Sequence, residues 1–514
     1  MSLLRSSAVV SVFTLMSRVL GLVREIALAR FLGTGPVADA FFVAFRFPNL
    51  FRRIFAEGAF NSAFVPLFGR RLEAEGREGA QVFSDEAFSF LFSVLLVLTL
   101  IAMAAMPWFV LAIAGGFRAD PEKFDLTVLL TRITFPYLLF MSLTALLSGM
   151  LNSLGRFIVA AAAPILLNIV LIVAVIYGAR YTQTPGHALA MGVAVAGVLQ
   201  FLLVLWGVAR QKMLPRLRWP RLTPGVKRLL TLGVPGVIAG GITQVNILVG
   251  TQIASFEPGA VSYLSFADRI YQLPLGLVGI PIGIVLLPYL ARQIAADDRS
   301  GADDSQNRAV EYAMALTLPA TAAILAIPLF IITTLYQGGA FTAEDSAKTA
   351  AALAVFGLGL PSFVLNKAFS PGFFAREDTK TPMIFAGISV AVNIAVSLVL
   401  FQYIGFLGVA FGTSIAGWVN ALLLGIELVR RGHLTLDARL MGRLPRQIIA
   451  SAGMGGALWY AGQQLAPALT GDLWDKLGAL MLLVGLGVIV YAALALVIGA
   501  IRLSDLKDLR RRPA

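Results

Sequence analysis

The chain is 514 residues long, 58% hydrophobic and 13% charged, with a formal net charge of +13 and no cysteine. So small a charged fraction cannot clothe a water-facing surface, and the lack of thiols excludes disulfides and thiolate metal sites. Apolar runs near the ~20 residues that an α-helix needs to cross ~30 Å of hydrocarbon recur along the whole length, without strand-like alternation. The expected class is an all-α polytopic membrane protein, and a barrel is excluded.

In chain order, fourteen spans are predicted near residues 8–32, 37–68, 82–114, 124–151, 157–179, 188–209, 229–254, 261–291, 309–337, 349–374, 382–403, 406–429, 447–466 and 477–501. The first carries Arg18 and Arg24 and offers no small-residue cleavage site, which marks an uncleaved span in place of a signal peptide. With the N-terminus inside, Lys and Arg collect on the cytoplasmic segments, from Arg5 through the loop 210–228 to the arginine-rich tail. The outer segments carry only Arg118, Lys123, Arg180, Lys348 and Lys476. That asymmetry predicts both termini in the cytoplasm and explains the basic balance by topology, with no nucleic-acid partner.

The chain also repeats itself. VPLFGRRLEAEG at 65–76 aligns with LPYLARQIAADD at 287–298, and ITFPYLLF at 133–140 with LGLPSFVL at 358–365. APILLNIVLIVAV at 163–175 aligns with ISVAVNIAVSLVL at 388–400, pairing Asn168 with Asn393. Six spans repeated once from the same side predict two parallel six-helix lobes, 1–222 and 223–436, around a central cavity. The last two spans, within 437–514, have no counterpart, and Asp437 to Pro445 reads as the linker to them.

Nine cations fall inside the spans: Arg18, Arg24, Arg30, Arg46, Arg52, Arg53, Arg132, Arg269 and Lys367. Four acids accompany them, Glu25, Asp39, Glu57 and Asp268. A lipid-facing arginine at a helix centre costs about 2.5–3.5 kcal/mol, so nine together would exceed the stability of a whole fold. They must face water, a partner or a substrate, although Arg30, Arg132 and Lys367 lie where interfacial anchoring serves as well.

Arg18 and Glu25 lie seven apart on one helical face, with Arg24 about 120° round, so all three can border one wide cavity. In the second span Asp39, Arg46 and Arg53 recur every seven residues, with Asn49 and Glu57 on the same stripe and Arg52 about 100° away. Pairs of Asp39 with Arg46 and of Arg53 with Glu57 would make a self-neutralising ladder, leaving Arg18, Arg24 and Arg52 unpaired. Pro48, Gly58 and Pro66 break this span, and Pro274, Gly279, Pro281, Gly283 and Pro288 break its counterpart, in which Asp268 and Arg269 sit just before Pro274. Guanidinium stays charged when partly desolvated and forks onto phosphate oxygens. An anionic, phosphate-bearing substrate is therefore expected, the alternative being a gate in which arginines and acids such as Glu57 pair across a closed mouth.

Other signals carry less. The paired aspartates of Asp297 to Asp304 read as a solvated loop, with a Mg²⁺ site for a prenyl pyrophosphate as the minor alternative. His187 and His433 fall in loops on opposite sides and cannot share a metal, and the glycine-rich runs 233–250 and 405–417 permit close helix packing. Asn246, Asn393 and Gln244 read as packing hydrogen bonds, or as a monovalent-cation site without a carboxylate.

The run Ser17-Arg-Val-Leu-Gly-Leu-Val-Arg24 and the long stretch from Asp39 through Pro48-Asn-Leu-Phe-Arg-Arg-Ile-Phe-Ala-Glu-Gly-Ala-Phe60 resemble the MurJ (MviN) lipid II flippases of bacteria. Ala267-Asp-Arg269, Leu287-Pro288, Pro371-Gly-Phe-Phe and Lys380-Thr-Pro382 extend the likeness over the whole chain. The resemblance implies the fold of the multidrug and oligosaccharidyl-lipid exporter superfamily. It further implies that a monomer, acting on no covalent bond, flips undecaprenyl-pyrophosphate-linked lipid II to the outer leaflet for peptidoglycan synthesis. It maps the family's cavity arginines onto Arg18, Arg24, Arg52 and Arg269, its acids onto Asp39 and Glu57, and its tail-binding groove onto the last two spans. Some members bind sodium through a carboxylate on the seventh span, where this chain has Asn246 and no acid. Membrane potential acting on the positive cavity is the expected driver, at about 2.3 kcal/mol per charge per 100 mV. The rivals are a flippase for another undecaprenyl-linked glycan, a drug exporter, which wants an acidic cavity, and a prenyl-phosphate enzyme resting on the aspartate loop.

Overall fold

The computed structural model describes the backbone of residues 3–52 and 60–501, with side chains described in 12–50, 63–233 and 244–501. Among the described residues every regular element is helical, and the only bridge joins Gly338 to Phe341. Two compact units emerge, residues up to Ser262 with Gly338–Phe341, and Tyr263–Gln337 with the chain from Thr342 onward.

The first unit holds α1 (Leu3–Leu32), α2 (Pro36–Arg52), α3 (Phe60–Ala74), α4 (Gly76–Ala104), α5 (Met106–Ile113), α6 (Pro121–Thr134), α7 (Tyr137–Ser153), α8 (Phe157–Ile176), α9 (Pro185–Arg210) and α10 (Pro224–Ala254). Prolines at the starts of α6, α9 and α10 bring a preset φ and lose no bond, because first-turn N–H groups have no helical partner. Asp120 and Thr223 cap two of these starts by accepting the N–H of Lys123 and Val226. Polar side chains tie the helices where hydrocarbon offers no alternative partner. Thr134 donates to the Ala44 carbonyl at 2.8 Å and Gln200 to that of Ala163 at 2.8 Å.

The second unit takes up α11 (Ala260–Pro274), whose first turn still belongs to the first unit. It continues with α12 (Ile280–Ala295), α13 (Arg299–Ala326), α14 (Pro328–Tyr336), α15 (Ala343–Phe374), α16 (Lys380–Ile404), α17 (Leu407–Arg430), α18 (Ala438–Gln464) and α19 (Leu473–Val497). A π-helical turn, Leu275–Gly279, follows Pro274 and joins α11 to α12, so the proline-broken counterpart span bulges without ending. Gly412 lets α17 press on α16, since a Cβ there would lie 2.7 Å from Asn393 Oδ1. Ile327, Phe330, Met454, Leu458 and Leu483 pack α18 and α19 onto α14, and the Tyr491 hydroxyl donates to the Ala315 carbonyl at 2.6 Å.

Two expectations need correction. Asp437 accepts the N–H of Leu440 as the N-cap of α18, so 438–445 is helix and not linker, and Pro445 lies inside it. Asp298 likewise caps α13 through the N–H of Gly301, which puts Asp303 and Asp304 on a helix and not in a loop. Ten helical stretches among the described residues are long and apolar enough to cross a membrane. Of the other four predicted spans, three run through residues whose side chains lie outside those described, and α18 carries Arg439, Arg443 and Arg446 in its first turns.

Candidate functional site

Asp39, in the first turn of α2, is fully buried. It accepts from Lys123 Nζ at 2.7 Å, from the Gly259 N–H at 2.9 Å, and from both the N–H and the hydroxyl of Ser262, at 2.9 and 2.6 Å. The carboxylate thus caps the first turn of α11 from another helix, where a negative charge is favoured by the unpaired N–H groups. Lys123 is itself buried, with Nζ 3.8 Å from the centre of the Phe117 ring. Its prediction as an outer-loop cation is corrected: Pro121 and the Asp120 cap start α6 three residues before the predicted span, which puts the lysine in the first turn of the helix, buried in the protein. The expected Asp39 and Arg46 pair gives way as well, because Arg46 donates to the Thr251 hydroxyl on α10. Around this knot Gly115 N–H donates to Gln252 Oε1 at 2.7 Å, Gly116 N–H to Ser255 Oγ at 3.0 Å and Ala340 N–H to the Arg30 carbonyl at 2.8 Å.

A second constellation sits within α1. Arg24, 8% exposed, pairs with Glu25 and donates to Asn168 Oδ1 on α8 at 2.9 Å, while Asn168 Nδ2 donates to the Ser17 carbonyl at 2.9 Å. Arg24 was expected to lack a partner, and the structure supplies two: helical phase alone had set it on a different face from Glu25, but long adjacent side chains can wrap to meet. Its Nε stays buried without an acceptor, so the guanidinium keeps one edge to offer. Arg18 is exposed on the same helix.

The remaining predicted residues are placed singly. Arg52 ends α2, its side chain lying outside the described residues, as do Arg53 and Glu57 altogether. In the second unit Asp268 and Arg269 are half-buried on α11, and Asp268 accepts from Gln272 one turn on. Asn246 is half-buried on α10, and Asn393 is buried on α16, where it accepts from the Ser397 hydroxyl at 3.0 Å. Arg132 donates to the Met103 carbonyl at 3.0 Å, Arg30 is half-buried and Lys367 is exposed.

Sequence reading missed the largest charge cluster among the described residues. Glu311 on α13, 1% exposed, receives Arg308 and Arg443 and a 3.1 Å contact from Arg439, while Arg308 also reaches Asp437. The cluster clamps the start of α18 to α13. Its signal was present in the i, i+3 pair Arg308 and Glu311 and in the spacing of Arg439 and Arg443, one helical turn apart. In the same unit Asp378 accepts the N–H and hydroxyl of Thr381 and a 2.7 Å contact from Arg431. These hold its carboxyl down at about 2, the Thr381 bonds contributing most.

Comparison with known proteins places these sites in context. The family model described as lipid II flippase MurJ matches residues 28–473. A protein of Rhizobium tropici called a probable lipid II flippase MurJ is 49% identical over 100% of this chain and 98% of its own length. A lipid II flippase MurJ of Burkholderia cenocepacia is 38% identical over 84% of this chain and 85% of its own. Among solved structures, a lipid II flippase MurJ in an inward closed conformation superposes with a TM-score of 0.79 at 25% identity, covering 98% of this chain and 99% of that one. An inward-facing multidrug resistance transporter of the MATE family reaches 0.67 at 16% identity, covering 81% and 94%, a likeness of fold alone.

Proposed function

The chain belongs to the MurJ family of lipid II flippases, and on that premise we propose how it carries lipid II from the inner to the outer leaflet of the bacterial cytoplasmic membrane. The family match over residues 28–473 carries the assignment. The protein works as a transporter, by alternating access of two six-helix lobes within fourteen spans and with both termini in the cytoplasm. The charge asymmetry of the loops and the internal repeat support that layout.

The pyrophosphate needs a wet, cationic path while the prenyl tail stays in lipid, so only the headgroup must enter the protein. Arg24 is built for such a role. A buried arginine without a partner is costly, and Glu25 and Asn168 hold it neutralised and oriented when no substrate is bound. An arriving pyrophosphate takes over from Glu25 and uses the fork geometry of the guanidinium. Arg18, Arg52 and Arg269 extend the cationic path, and Arg46, Arg53, Glu57 and Asp268 exchange partners along it. The Asp39 and Lys123 knot acts as the outer gate, because opening there must break four bonds to one carboxylate. α18 and α19 hold the prenyl tail.

No step is assigned to sodium. α10 carries Asn246 and no carboxylate, and Asn393 accepts from Ser397, so these amides offer a monovalent cation neutral oxygens without a charged ligand. The membrane potential acting on the cationic path drives the return of the empty transporter.

The test is lipid II translocation in liposomes containing the purified chain. Arg24→Ala and Arg269→Ala are each expected to lose at least about 10-fold in rate, the scale of one lost charge-assisted contact. Arg24→Lys should recover only part, for want of the fork. Full activity after alanine replacement of all four cavity arginines, taken singly, would refute the path, and unchanged rates without a membrane potential would refute the driver.

A further inference from the structure

Where the turn between α7 and α8 meets the end of α9, the first unit holds a cavity of about 380 Å³, within the size range of ligand sites. Arg156 and Arg210 line it, together with Leu151, Ile158, Val159 and Trp206, and no carboxylate does. Gly207 makes the close approach possible: a Cβ there would lie 3.0 Å from Val159 Cγ1 and 3.1 Å from Leu151 Cδ1. Arg210 rests its guanidinium 4.1 Å from the centre of the Trp206 ring. Arg156 occupies the N-cap of α8, whose first-turn N–H groups receive no side-chain cap and add their partial positive charge.

The second unit repeats this corner with its charge settled internally. α17 ends in Arg430 as α9 ends in Arg210. Three residues before Arg430 stands Glu427, which takes Arg430 at 2.7 Å and Arg431 at 2.6 Å, and Asp378 takes Arg431 at 2.7 Å. Three residues before Arg210 stands Gly207, and the turn Leu154-Gly155-Arg156 contains no acid. One copy of the repeat therefore supplies its own anions, and the other presents two arginines to an anion from outside.

We propose that this cavity binds an anionic phospholipid, its phosphate between Arg156 and Arg210 and an acyl chain along Ile158, Val159 and Trp206. The half-exposed Ile158 and Trp206, 43% and 49% accessible, favour a lipid over free phosphate, since they offer a chain an apolar track beside the cations. The site is separate from the lipid II path. It depends on the proposed orientation only for its leaflet, which is then the cytoplasmic one.

The test uses the full chain in vesicles whose lipids carry bromine on the acyl chains, with Trp206 isolated as the fluorescence difference from a Trp206→Phe variant. Quenching of Trp206 is expected to be stronger with brominated phosphatidylglycerol than with brominated phosphatidylcholine. In Arg156→Gln/Arg210→Gln the preference should fall about 10-fold, while Arg156→Lys/Arg210→Lys keeps most of it. Equal quenching by the two lipids, or a preference that survives the double glutamine variant, overturns the proposal. Loss of the preference on adding millimolar inorganic phosphate also overturns it, by assigning the site to the free ion. Lipid II translocation in the double glutamine variant should persist, which separates failure of this site from failure of the transport reading.

Discussion

Asp39 and Lys123 are two opposite charges removed from water, and their value depends on each having the other. Removing one partner of a buried pair strands its mate, at a typical cost of about 3–5 kcal/mol. Asp39→Asn and Lys123→Met should each lower the thermal midpoint in detergent, and the double variant should lose clearly less than the sum of the two. Additive losses would show that the pair is not coupled. The importance of Asp39 was legible in sequence, because an acid inside an apolar run stands out against its surroundings. Its partner was not. Lys123 lies 84 positions away, and Gly259 and Ser262 lie 220 and 223 away, distances over which helical phase carries no information. Arg24 shows the same limit at short range, since its partner Glu25 is the next residue and is reached by side-chain flexibility.

Helix boundaries were set by capping chemistry that the sequence displays and hydropathy overlooks. Asp298 and Asp437 each cap a helix whose first turns are polar, so apolar windows placed the starts of α13 and α18 several residues late. The clamp on Glu311 explains why so charged a start to α18 is tolerated. Glu311→Gln should leave Arg443 buried beside a neutral amide and raise hydrogen exchange in 438–447 ahead of the rest of the second unit. Uniform exchange across the unit would argue against a local clamp. Asp378 offers a pH test at the start of α16. Its folded value near 2 lies below its ordinary 3.8, so its stabilisation is present above about 3.8 and is lost as the pH falls toward 2. Asp378→Asn should flatten the acid limb of a thermal-stability profile in that window, and an unchanged limb would assign the acid sensitivity elsewhere. His433 is shifted down as well, by burial first and then by Arg376 and Arg431 nearby, which for an imidazole disfavours the charged form.

At the scale of the whole molecule, orientation is the most direct open test, and the absence of cysteine makes the chain ready for it. A single cysteine replacing Tyr181, 89% exposed, should react with a membrane-impermeant maleimide on intact cells, whereas one replacing the exposed Lys212 should react only after lysis. The opposite pattern would invert the topology. Composition and the spacing of apolar runs determined the membrane class, since twenty-residue segments without a polar escape have no alternative to helix in hydrocarbon. The family signature followed from contiguous residues, and so was also available in one dimension. Tertiary structure alone decided which charges neutralise which. Asp39 meets Lys123, and Glu311 gathers the remote Arg439 and Arg443 beside the local Arg308, because electrostatic pairing is set by distance in space, and the chain brings remote residues within hydrogen-bond reach only once its helices pack.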